Sequence, residues 1–381
     1  MNNKKQILIV GAGVAGLTCA LWLEKYGFSP IVIERAGSIR GGGFLVSLSH
    51  HAYQSAAKLG LINQIEARGC GIQSSGYCDP TGHCLLELDY PALFGGVELV
   101  QIMRDELVDI LYSAAREKLE IRFNETIESL NQDSEGVNIS FASGQSQRVD
   151  LVIGADGSNS RTRGQIFGPN QVIEHQLGLM CAAYRLPNAI GLSHRFETHM
   201  RRDRYMATFS SGEEDIGAVF IWVSNEPGVP HGDDRRLLLQ RQFTKGDAAT
   251  LKVVDHCPSD RTIYMDKLKQ IELPLWHQNR VVLLGDAAHS LTPFSGRGAA
   301  AALNGATRLA QALSELPMAE AIDRYRQEMR PIINSIQPAT RRAVRWYVPR
   351  SATLQMIRNN AMRMLPNALF RKYFQYKYSN I

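Results

Sequence analysis

The sequence lacks the cysteine, histidine and serine arrangements that mark many catalytic and metal sites. Its six cysteines form no CxxC pair. Cys78, His83 and Cys84 are close together in the sequence, but their spacing is wrong for a zinc site. We find no Ser-His-Asp arrangement either. The sequence therefore predicts no metal centre and assigns no catalytic side chain.

Net charge and long apolar runs are also scarce. The formal net charge is +5 over 381 residues, which does not call for a nucleic-acid partner. No apolar stretch reaches the roughly 20 residues that span a bilayer. The apolar run after Lys5 leads into a glycine motif, not into a signal cleavage site. We expect a cytoplasmic protein with reduced thiols, no membrane span and no bound nucleic acid.

The start of the chain carries the pattern of a dinucleotide-binding βαβ unit. A predicted strand at Gln6–Val10 leads into GAGVAG at residues 11–16, then a helix to about Tyr26 and a strand at Ser29–Ile33. The next residue, Glu34, lies near the distance expected for an acid that accepts from ribose hydroxyls. Such an acid favours FAD or NAD over NADP. The alternative is a glycine-rich turn in an ordinary βαβ unit.

Each glycine of this turn has its own predicted role. Gly11 permits the tight turn, Gly13 lets backbone N–H groups approach a pyrophosphate, and Gly16 lets the helix lie close to the strand. The N-terminus of the helix adds unpaired N–H donors and positive dipole. The turn is therefore suited to an anionic diphosphate.

Later segments supply further candidates. An RGGG run at residues 40–43 follows the second strand, and a predicted helix begins at Arg104. That arginine could reach a phosphate or ribityl chain, or it could be solvated. A strand at Asp150–Gly154 precedes Asp156-Gly157, and the strand VVLL ends in Gly285-Asp286. A carboxylate at the end of a buried strand is costly unless hydrogen-bond donors satisfy it.

In this order, the motifs resemble the FAD-dependent monooxygenases of the para-hydroxybenzoate hydroxylase type. The similarity covers about residues 5–60 and 98–315. It implies an α/β fold in which a Rossmann-like FAD-binding domain carries an inserted antiparallel-sheet substrate domain and a C-terminal helix. The implied limits are 1–72, 98–172 and 270–335 for the FAD-binding domain, 73–97 and 173–269 for the substrate domain, and 336–381 for the C-terminal helical segment.

The resemblance also implies a cofactor site and a reaction. FAD would be held permanently and reduced by NADPH or NADH, and O2 would form a flavin C4a-hydroperoxide that oxygenates a phenolic or enolic substrate. Pro293, Phe294 and Arg297 are expected near the flavin ring. The implied cofactor-binding residues are Gly11, Gly13, Ala15, Gly16, Glu34, Arg35, Arg40, Gly42, Arg104, Ile127, Asp156, Gly157, Asp286, Pro293, Gly296, Gly298 and Ala299.

The segment around Asp286 matches the family with some departures. Asp286 would be a buried carboxylate that accepts from a ribityl hydroxyl. Arg297 stands where the family usually has Gln, Ala299-Ala300 replaces Met-Asn, and Gly305 replaces an Asp. Flavin binding should survive, because it relies on the backbone there. His289 is expected to pack and order the loop, and direct proton transfer is the alternative.

The middle of the chain predicts the substrate domain. The turn signal in SSGYCDPTGHCLLELDY predicts a hairpin, and Leu177–Val223 predicts antiparallel strands. Arg201, Arg202, Arg204 and Tyr205 could line a pocket for an anionic or polyoxygenated substrate. The interpretation that we favour is a solvated basic edge strand.

The C-terminal segment is basic and amphipathic. Residues 331–381 contain nine Lys or Arg and no acidic residue. Leu354, Ile357, Ala361 and Leu365 have helical spacing, which predicts a helix docked on the protein. A membrane-surface or nucleic-acid-binding tail is the alternative. An added C-terminal helix resembles the tetracycline-inactivating branch of these monooxygenases, the tetracycline destructases.

The predicted protein is thus a monomeric FAD- and NAD(P)H-dependent monooxygenase of a phenolic or enolic substrate, with tetracyclines as one candidate. A hydroxylase of another aromatic metabolite is an alternative. So is a related reductase or halogenase, although Trp222 lacks the second tryptophan of the halogenase signature. A non-catalytic flavin-binding protein is the third alternative.

Overall fold

The computed structural model describes residues 4–39, 42, 44–94, 97–212, 214–232, 234–258, 262–364, 369 and 372. The fold is mixed α/β, as predicted. The strands are β1 (Gln6–Val10), β2 (Ser29–Glu34), β3 (Leu45–Ser49), β4 (Ser74–Cys78), β5 (Cys84–Asp89), β6 (Leu99–Met103), β7 (Glu120–Phe123), β8 (Ile127–Gln132), β9 (Val137–Phe141), β10 (Ser146–Val149), β11 (Leu151–Gly154), β12 (Ile173–Pro187), β13 (Arg195–Arg201), β14 (Arg204–Ser210), β15 (Asp215–Val223), β16 (Tyr264–Glu272), β17 (His277–Gln278) and β18 (Val281–Leu283). The helices are α1 (Val14–Lys25), α2 (His50–Lys58), α3 (Ile62–Ala67), α4 (Tyr90–Phe94), α5 (Arg104–Arg116), α6 (Arg161–Ile166), α7 (Asp234–Gln242), α8 (Ala248–Asp255), α9 (Asp286–His289), α10 (Gly298–Glu315), α11 (Met318–Tyr347) and α12 (Ala352–Met364).

The first sheet brings the three sequence motifs together. Within the described residues its strand order is β17-β18-β11-β1-β2-β7, and all pairs except β17 with β18 are parallel. Val10 aligns with Gly154, and Gly154 aligns with Leu283. Because the carboxyl ends of parallel strands meet at one edge, the glycine turn, the Asp156-Gly157 segment and Asp286 follow neighbouring strands at that edge.

The second sheet has the order β16-β12-β15-β14-β13-β4-β5 in the described part of the chain. Its pairs are antiparallel except β4 with β13, and β4 and β5 form the predicted hairpin. β14 lies in the interior, so the interpretation of Arg204 as part of an edge strand is wrong. The domain limits remain a prediction, and β16 continues three residues past the proposed boundary at 269/270.

The C-terminal helix docks on the second sheet, but not through the predicted face. Arg358 is 1% exposed and donates to the carbonyl oxygens of Tyr347 (3.4 Å) and Met200 (3.3 Å). Leu354 and Ile357 are exposed instead. The helix therefore docks through Met362, which is buried in an apolar cluster, and through an arginine that satisfies backbone carbonyls.

Leu365 and the aromatic tail with Phe370, Tyr373, Phe374 and Tyr378 lie outside the described residues. Among the helices that the structure describes, none has the length and apolar character needed to cross a bilayer.

Candidate functional site

A cavity of about 520 Å³ opens where the first sheet ends, and β16 of the second sheet contributes to its wall. Most of the predicted site residues line it: Gly11, Gly13, Ala15, Glu34, Arg35, Arg104, Asp156, Gly157, Asp286, Pro293, Gly296, Arg297, Gly298 and Ala299. Four others, Gly16, Gly42, Ile127 and Phe294, do not line it. Arg40 lies outside the described residues. The structure thus gathers residues from distant parts of the sequence around one cavity.

The glycine turn is shaped by two contacts that exclude any side chain. Gly11 has φ +108°, and a Cβ there would lie 2.6 Å from the Ala155 carbonyl oxygen. A Cβ on Gly16 would lie 2.0 Å from the Gly11 carbonyl oxygen. At Gly13 the nearest atom would be a guanidinium nitrogen of Arg104, 4.0 Å away. Gly11 and Gly16 therefore pack the turn, whereas Gly13 leaves its cavity side clear.

The N-terminus of α1 at this turn is suited to an anion. Gly13 is its N-cap, so no side chain caps the helix, and its first turn contains no acidic residue. The first N–H groups of a helix have no intrahelical partner and carry a partial positive charge. A diphosphate against this turn would satisfy them.

Glu34 lies at the end of β2 against the same turn. Its carboxylate accepts from the backbone N–H of Ala12 at 3.1 Å and of Ala36 at 2.9 Å. These two bonds fix its orientation, and the residue lines the cavity. Each carboxylate oxygen has more than one acceptor site, so Glu34 retains capacity for ribose hydroxyls.

Arg104 begins α5 and lies over the glycine turn. A Cβ built on Gly42 would lie 3.6 Å from one guanidinium nitrogen of Arg104. A Cβ built on Gly13 would lie 4.0 Å from the other terminal nitrogen. Its backbone N–H donates to the Phe44 carbonyl at 2.8 Å, which ties α5 to the chain after Gly42. This placement, on the cavity wall, fits a phosphate or ribityl contact better than full solvation.

The Asp156 carboxylate is engaged within the protein. It accepts from the hydroxyl of Ser160, the N–H of Arg161 (2.8 Å), and both the N–H (3.0 Å) and the hydroxyl (3.1 Å) of Thr162. It therefore holds the loop before α6, and the backbone at Gly157 is the part left for a ligand. Nothing lies within 4 Å of a Cβ built on Gly157.

Arg163 is a site residue that sequence reasoning missed. It is buried and donates to the carbonyl oxygens of Ala287 (3.0 Å) and Ser158 (2.8 Å). These bonds join the Asp156-Gly157 loop to α9, which begins at Asp286. The second arginine of GADGSNSRTR was the available signal, but nothing in its spacing indicated burial.

Asp286 begins α9 behind Gly285, whose φ is +61°. Its side chain is exposed to the cavity, on the wall that a bound ligand would cover. That the ligand buries this carboxylate therefore stays a prediction. Desolvation by the surrounding protein raises the pKa of the Asp286 carboxyl. The N–H of Leu291 and the charge of Arg104 oppose this effect but do not cancel it. A ligand hydroxyl that donates to Asp286 would supply a further stabilising contact.

The loop before α10 turns backbone groups toward the cavity. Gly296 has φ +63°, and α10 begins at Gly298 with no acidic residue in its first turn. Phe294 faces away and packs against Tyr347 (5.4 Å between ring centroids) and Tyr205 (5.6 Å). Phe294 therefore anchors the loop, while the backbone of the loop presents a second helix N-terminus to the cavity.

His289 follows Asp286 but faces the protein interior. Its ring packs against Trp276 with centroids 4.7 Å apart, and desolvation lowers its pKa to about 4. The imidazole is therefore neutral near pH 7, and it does not line the cavity. Packing accounts for His289 better than proton transfer.

The wall formed by β16 was not predicted. Tyr264, Asp266, Lys267 and Lys269 line the cavity from this strand. The Tyr264 ring meets the edge of Phe44 at 4.9 Å, and desolvation, followed by the charge of Asp266, raises the pKa of its phenol. Tyr264 thus stays a hydrogen-bond donor. The segment carries no motif, so nothing in its sequence indicates which side chains face the cavity.

The basic residues of β13 and β14 line a separate cavity of about 470 Å³. Arg201, Arg202 and Arg204 are joined there by Arg241 and Lys245. None of these five lines the larger cavity. The predicted grouping of the arginines with Tyr205 in one substrate pocket therefore does not hold, because Tyr205 packs on the opposite side, against Phe294.

The large cavity fits FAD. A side chain on Gly11 or Gly16 would collide with the backbone, and α1 offers uncapped N–H groups for a diphosphate. Glu34, Asp286 and the N-terminus of α10 all line this cavity. These groups suit the adenosine ribose, the ribityl chain and the electron-poor ring of FAD respectively.

Comparison with known proteins identifies the family. The family described as "FAD binding domain" matches residues 4–340. A flavin-dependent monooxygenase of Legionella longbeachae serogroup 1 (strain NSW150) is 30% identical over 346 residues, 88% of each chain. The 2-heptyl-3-hydroxy-4(1H)-quinolone synthase of Pseudomonas aeruginosa (strain UCBPP-PA14) is 27% identical over 383 residues, 98% of each chain. The crystal structure of tetracycline destructase Tet(55) has a TM-score of 0.80 at 28% identity and covers 95% of this chain and 96% of that chain. The chain therefore belongs to the FAD-binding flavoprotein monooxygenases of the para-hydroxybenzoate hydroxylase type, and it is an oxidoreductase.

Proposed function

We propose that this enzyme uses NADPH or NADH and O2 to hydroxylate a phenolic or enolic substrate bound between the loop at 293–298 and β16. The single observation that carries the proposal is the set of residues that line the cavity. The lining includes not only the dinucleotide turn and Asp286 but also Tyr264 and Phe44, to which the dinucleotide motifs assign no contact. When bound, FAD supplies the electron transfer and the activation of oxygen.

The protein's own residues would bind, orient and exclude water. The glycine turn and Arg104 would hold the diphosphate, and Glu34 and Asp286 would accept from the two sets of hydroxyls. The N-terminus of α10 would stabilise negative charge on the ring through its dipole. Phe44 and Tyr264 would keep water from the reacting centre, because their rings pack edge to face at 4.9 Å.

A tetracycline is the first substrate candidate. The likeness to Tet(55) covers nearly the whole of both chains. The docked α12 is the helix that suggested this branch from the sequence. A bicyclic aromatic such as a quinolone is the second candidate, because a quinolone synthase is similar at 27% identity over 98% of each chain. We also propose a monomer.

The test is an oxygen-uptake assay on the purified FAD-loaded enzyme. NADPH and NADH are compared, each alone and with a tetracycline, a 4-quinolone or a simple phenol. We expect one substrate to stimulate oxygen uptake and to gain the mass of one oxygen atom. Nucleotide oxidation without oxygen incorporation would support a reductase instead. Bound FAD with no substrate-stimulated uptake across the panel would support a non-catalytic flavin-binding protein.

A further inference from the structure

The second sheet contains a cluster of metal-ligating side chains remote from the large cavity. Cys78 ends β4, and Glu197 and His199 lie on β13, which pairs with β4 in parallel. Cys78 and His199 are register partners. One ligand atom from each of the three residues lies within 4.8 Å of the other two. Two adjacent strands thus present a thiol, a carboxylate and an imidazole to one point.

The distances suit a tetrahedral cation. Glu197 Oε1 lies 3.0 Å from His199 Nε2 and 3.6 Å from Cys78 Sγ. Zinc bonds of about 2.0–2.3 Å in tetrahedral geometry place an oxygen about 3.4 Å from a nitrogen ligand and about 3.6 Å from a sulfur ligand. The oxygen-to-sulfur separation already matches this geometry, and the oxygen-to-nitrogen separation is slightly short. The sulfur and the imidazole nitrogen lie within 4.8 Å of each other.

His199 and Glu197 are both oriented by hydrogen-bond partners on the side away from the cluster. His199 Nδ1 lies 2.7 Å from Asp247 Oδ2, so its other ring nitrogen, Nε2, faces the cluster. Asp247 is held in turn by the N–H of Thr250 at 2.8 Å. Arg195 donates to Glu197 Oε2 at 3.2 Å, which leaves Oε1 toward the cluster. A carboxylate behind the histidine is the usual support of a zinc-bound imidazole.

The site is buried and lies on the face of β13 that is turned away from the flavin loop. His199 and Cys78 are 5% and 3% exposed. The neighbouring residues Phe196 and Met200 belong instead to the apolar cluster that contains Phe294. Because side chains alternate across a strand, the metal-ligating cluster and the large cavity lie on opposite faces of the sheet.

We propose that Cys78, Glu197 and His199 bind one Zn²⁺, with water in the fourth position, and that the ion joins β4 to β13. A mixed sulfur, nitrogen and oxygen donor set favours zinc over magnesium or calcium, which prefer oxygen alone. The parallel pair of β4 and β13 is the join that attaches the β4–β5 hairpin to the sheet. This proposal replaces the expectation of no metal centre.

The competing interpretation is a buried ion-pair network without metal. In it, a protonated His199 lies between Glu197 and Asp247, and Arg195 balances the remaining charge. The two interpretations differ in one measurable property, the binding of zinc through the Cys78 thiol. Replacing the thiol should weaken zinc binding if the metal interpretation is right, and it should change no zinc binding if the ion-pair interpretation is right.

The experiment measures zinc binding to the FAD-loaded protein. The protein is treated with a chelator, titrated with ZnCl2 in competition with a chromophoric chelator, and analysed for metal by mass spectrometry. Wild type and Cys78→Ser are compared with Cys84→Ser. Cys84 faces Cys78 across the hairpin, but it is exposed and its thiol donates to the Leu86 carbonyl. FAD content serves as the check of folding for each variant.

We expect about one zinc per chain in wild type and in Cys84→Ser, and an affinity at least about 100-fold weaker in Cys78→Ser. Zinc should also raise the melting temperature of wild type and Cys84→Ser but not of Cys78→Ser. The proposal is overturned if wild type binds no zinc, or if Cys84→Ser loses zinc as fully as Cys78→Ser. If Cys78→Ser does not fold, absence of the thermal shift in Glu197→Gln decides the question in its place.

Discussion

The two ends of the large cavity are built in different ways. At the dinucleotide end many of the contacts come from backbone N–H groups and glycines, such as Gly11 and Gly13, at fixed spacing after a strand. At the β16 end they come from side chains, such as those of Tyr264 and Lys267, on a strand with no motif. A cofactor held by backbone leaves a record in the sequence, because only glycine fits where the chain must approach it. A substrate held by side chains leaves no such record.

The largest expected effect breaks the backbone end. Gly16→Ala places a Cβ 2.0 Å from the Gly11 carbonyl oxygen, so the turn must shift. We expect a loss of about 3–5 kcal/mol in the free energy of unfolding, measured by denaturant titration. Gly13→Ala is the control, since its nearest contact would be 4.0 Å away. It should fold normally and bind FAD more weakly. Equal stability of both variants would show that close packing does not fix this turn.

The next prediction concerns Asp286, one of the charged side chains that we expect to bind FAD. Asp286→Ala should leave the fold intact and weaken FAD binding about 10- to 100-fold, because it removes a charged hydrogen-bond acceptor. The measurement is FAD titration of the deflavinated protein. Asp266→Ala, on the β16 wall of the same cavity, is the matched control and should retain FAD. Full FAD occupancy of Asp286→Ala would contradict the assigned role.

His289 tests whether a residue within a cofactor motif acts by packing. Its folded pKa of about 4 lies below the value of about 6.5 expected in the unfolded chain. The unfolded state therefore binds more protons between these values, and stability falls as pH falls through this window. The contribution is about 2 kcal/mol between pH 7 and pH 5. Denaturant titrations at pH 7 and pH 5 should show that His289→Phe loses less unfolding free energy than wild type when the pH falls. The control His256→Gln changes an exposed histidine and should lose as much unfolding free energy between pH 7 and pH 5 as wild type. If His289→Phe also loses as much as wild type, burial of His289 is contradicted.

The smallest expected effect concerns the β16 end. Tyr264→Phe keeps the ring against Phe44 and removes only the phenol hydroxyl. FAD content should not change, whereas kcat/KM for the substrate should fall about 10-fold through one lost hydrogen bond. Steady-state kinetics and flavin absorbance provide the two readouts. If Tyr264→Phe loses FAD, while the enzyme that still contains FAD keeps its kcat/KM, then Tyr264 binds the cofactor and not the substrate.

The sequence predicted the fold and the dinucleotide end closely. The predicted strand at Gln6–Val10 is β1, and the helix predicted to begin at Arg104 is α5. These succeed because strand, turn and helix follow from local periodicity and glycine geometry. Tyr264 and Arg163 were missed because burial and facing depend on contacts between residues more than 100 positions apart.

Two predictions failed for a related reason. The apolar spacing of Leu354 and Ile357 placed the wrong face of α12 against the protein, since the buried Arg358 docks by binding backbone carbonyls of distant segments. Arg204 was placed on a possible edge strand, but strand order in a sheet is a long-range property. Neither contact leaves a pattern within a short window of sequence.

The central claim is that three distant motifs converge to hold one FAD in this cavity. The most direct test is titration of the recombinant deflavinated protein with FAD, followed by flavin fluorescence and absorbance. We predict a yellow protein that binds about one FAD per chain. A colourless protein that takes up no added FAD would contradict the account.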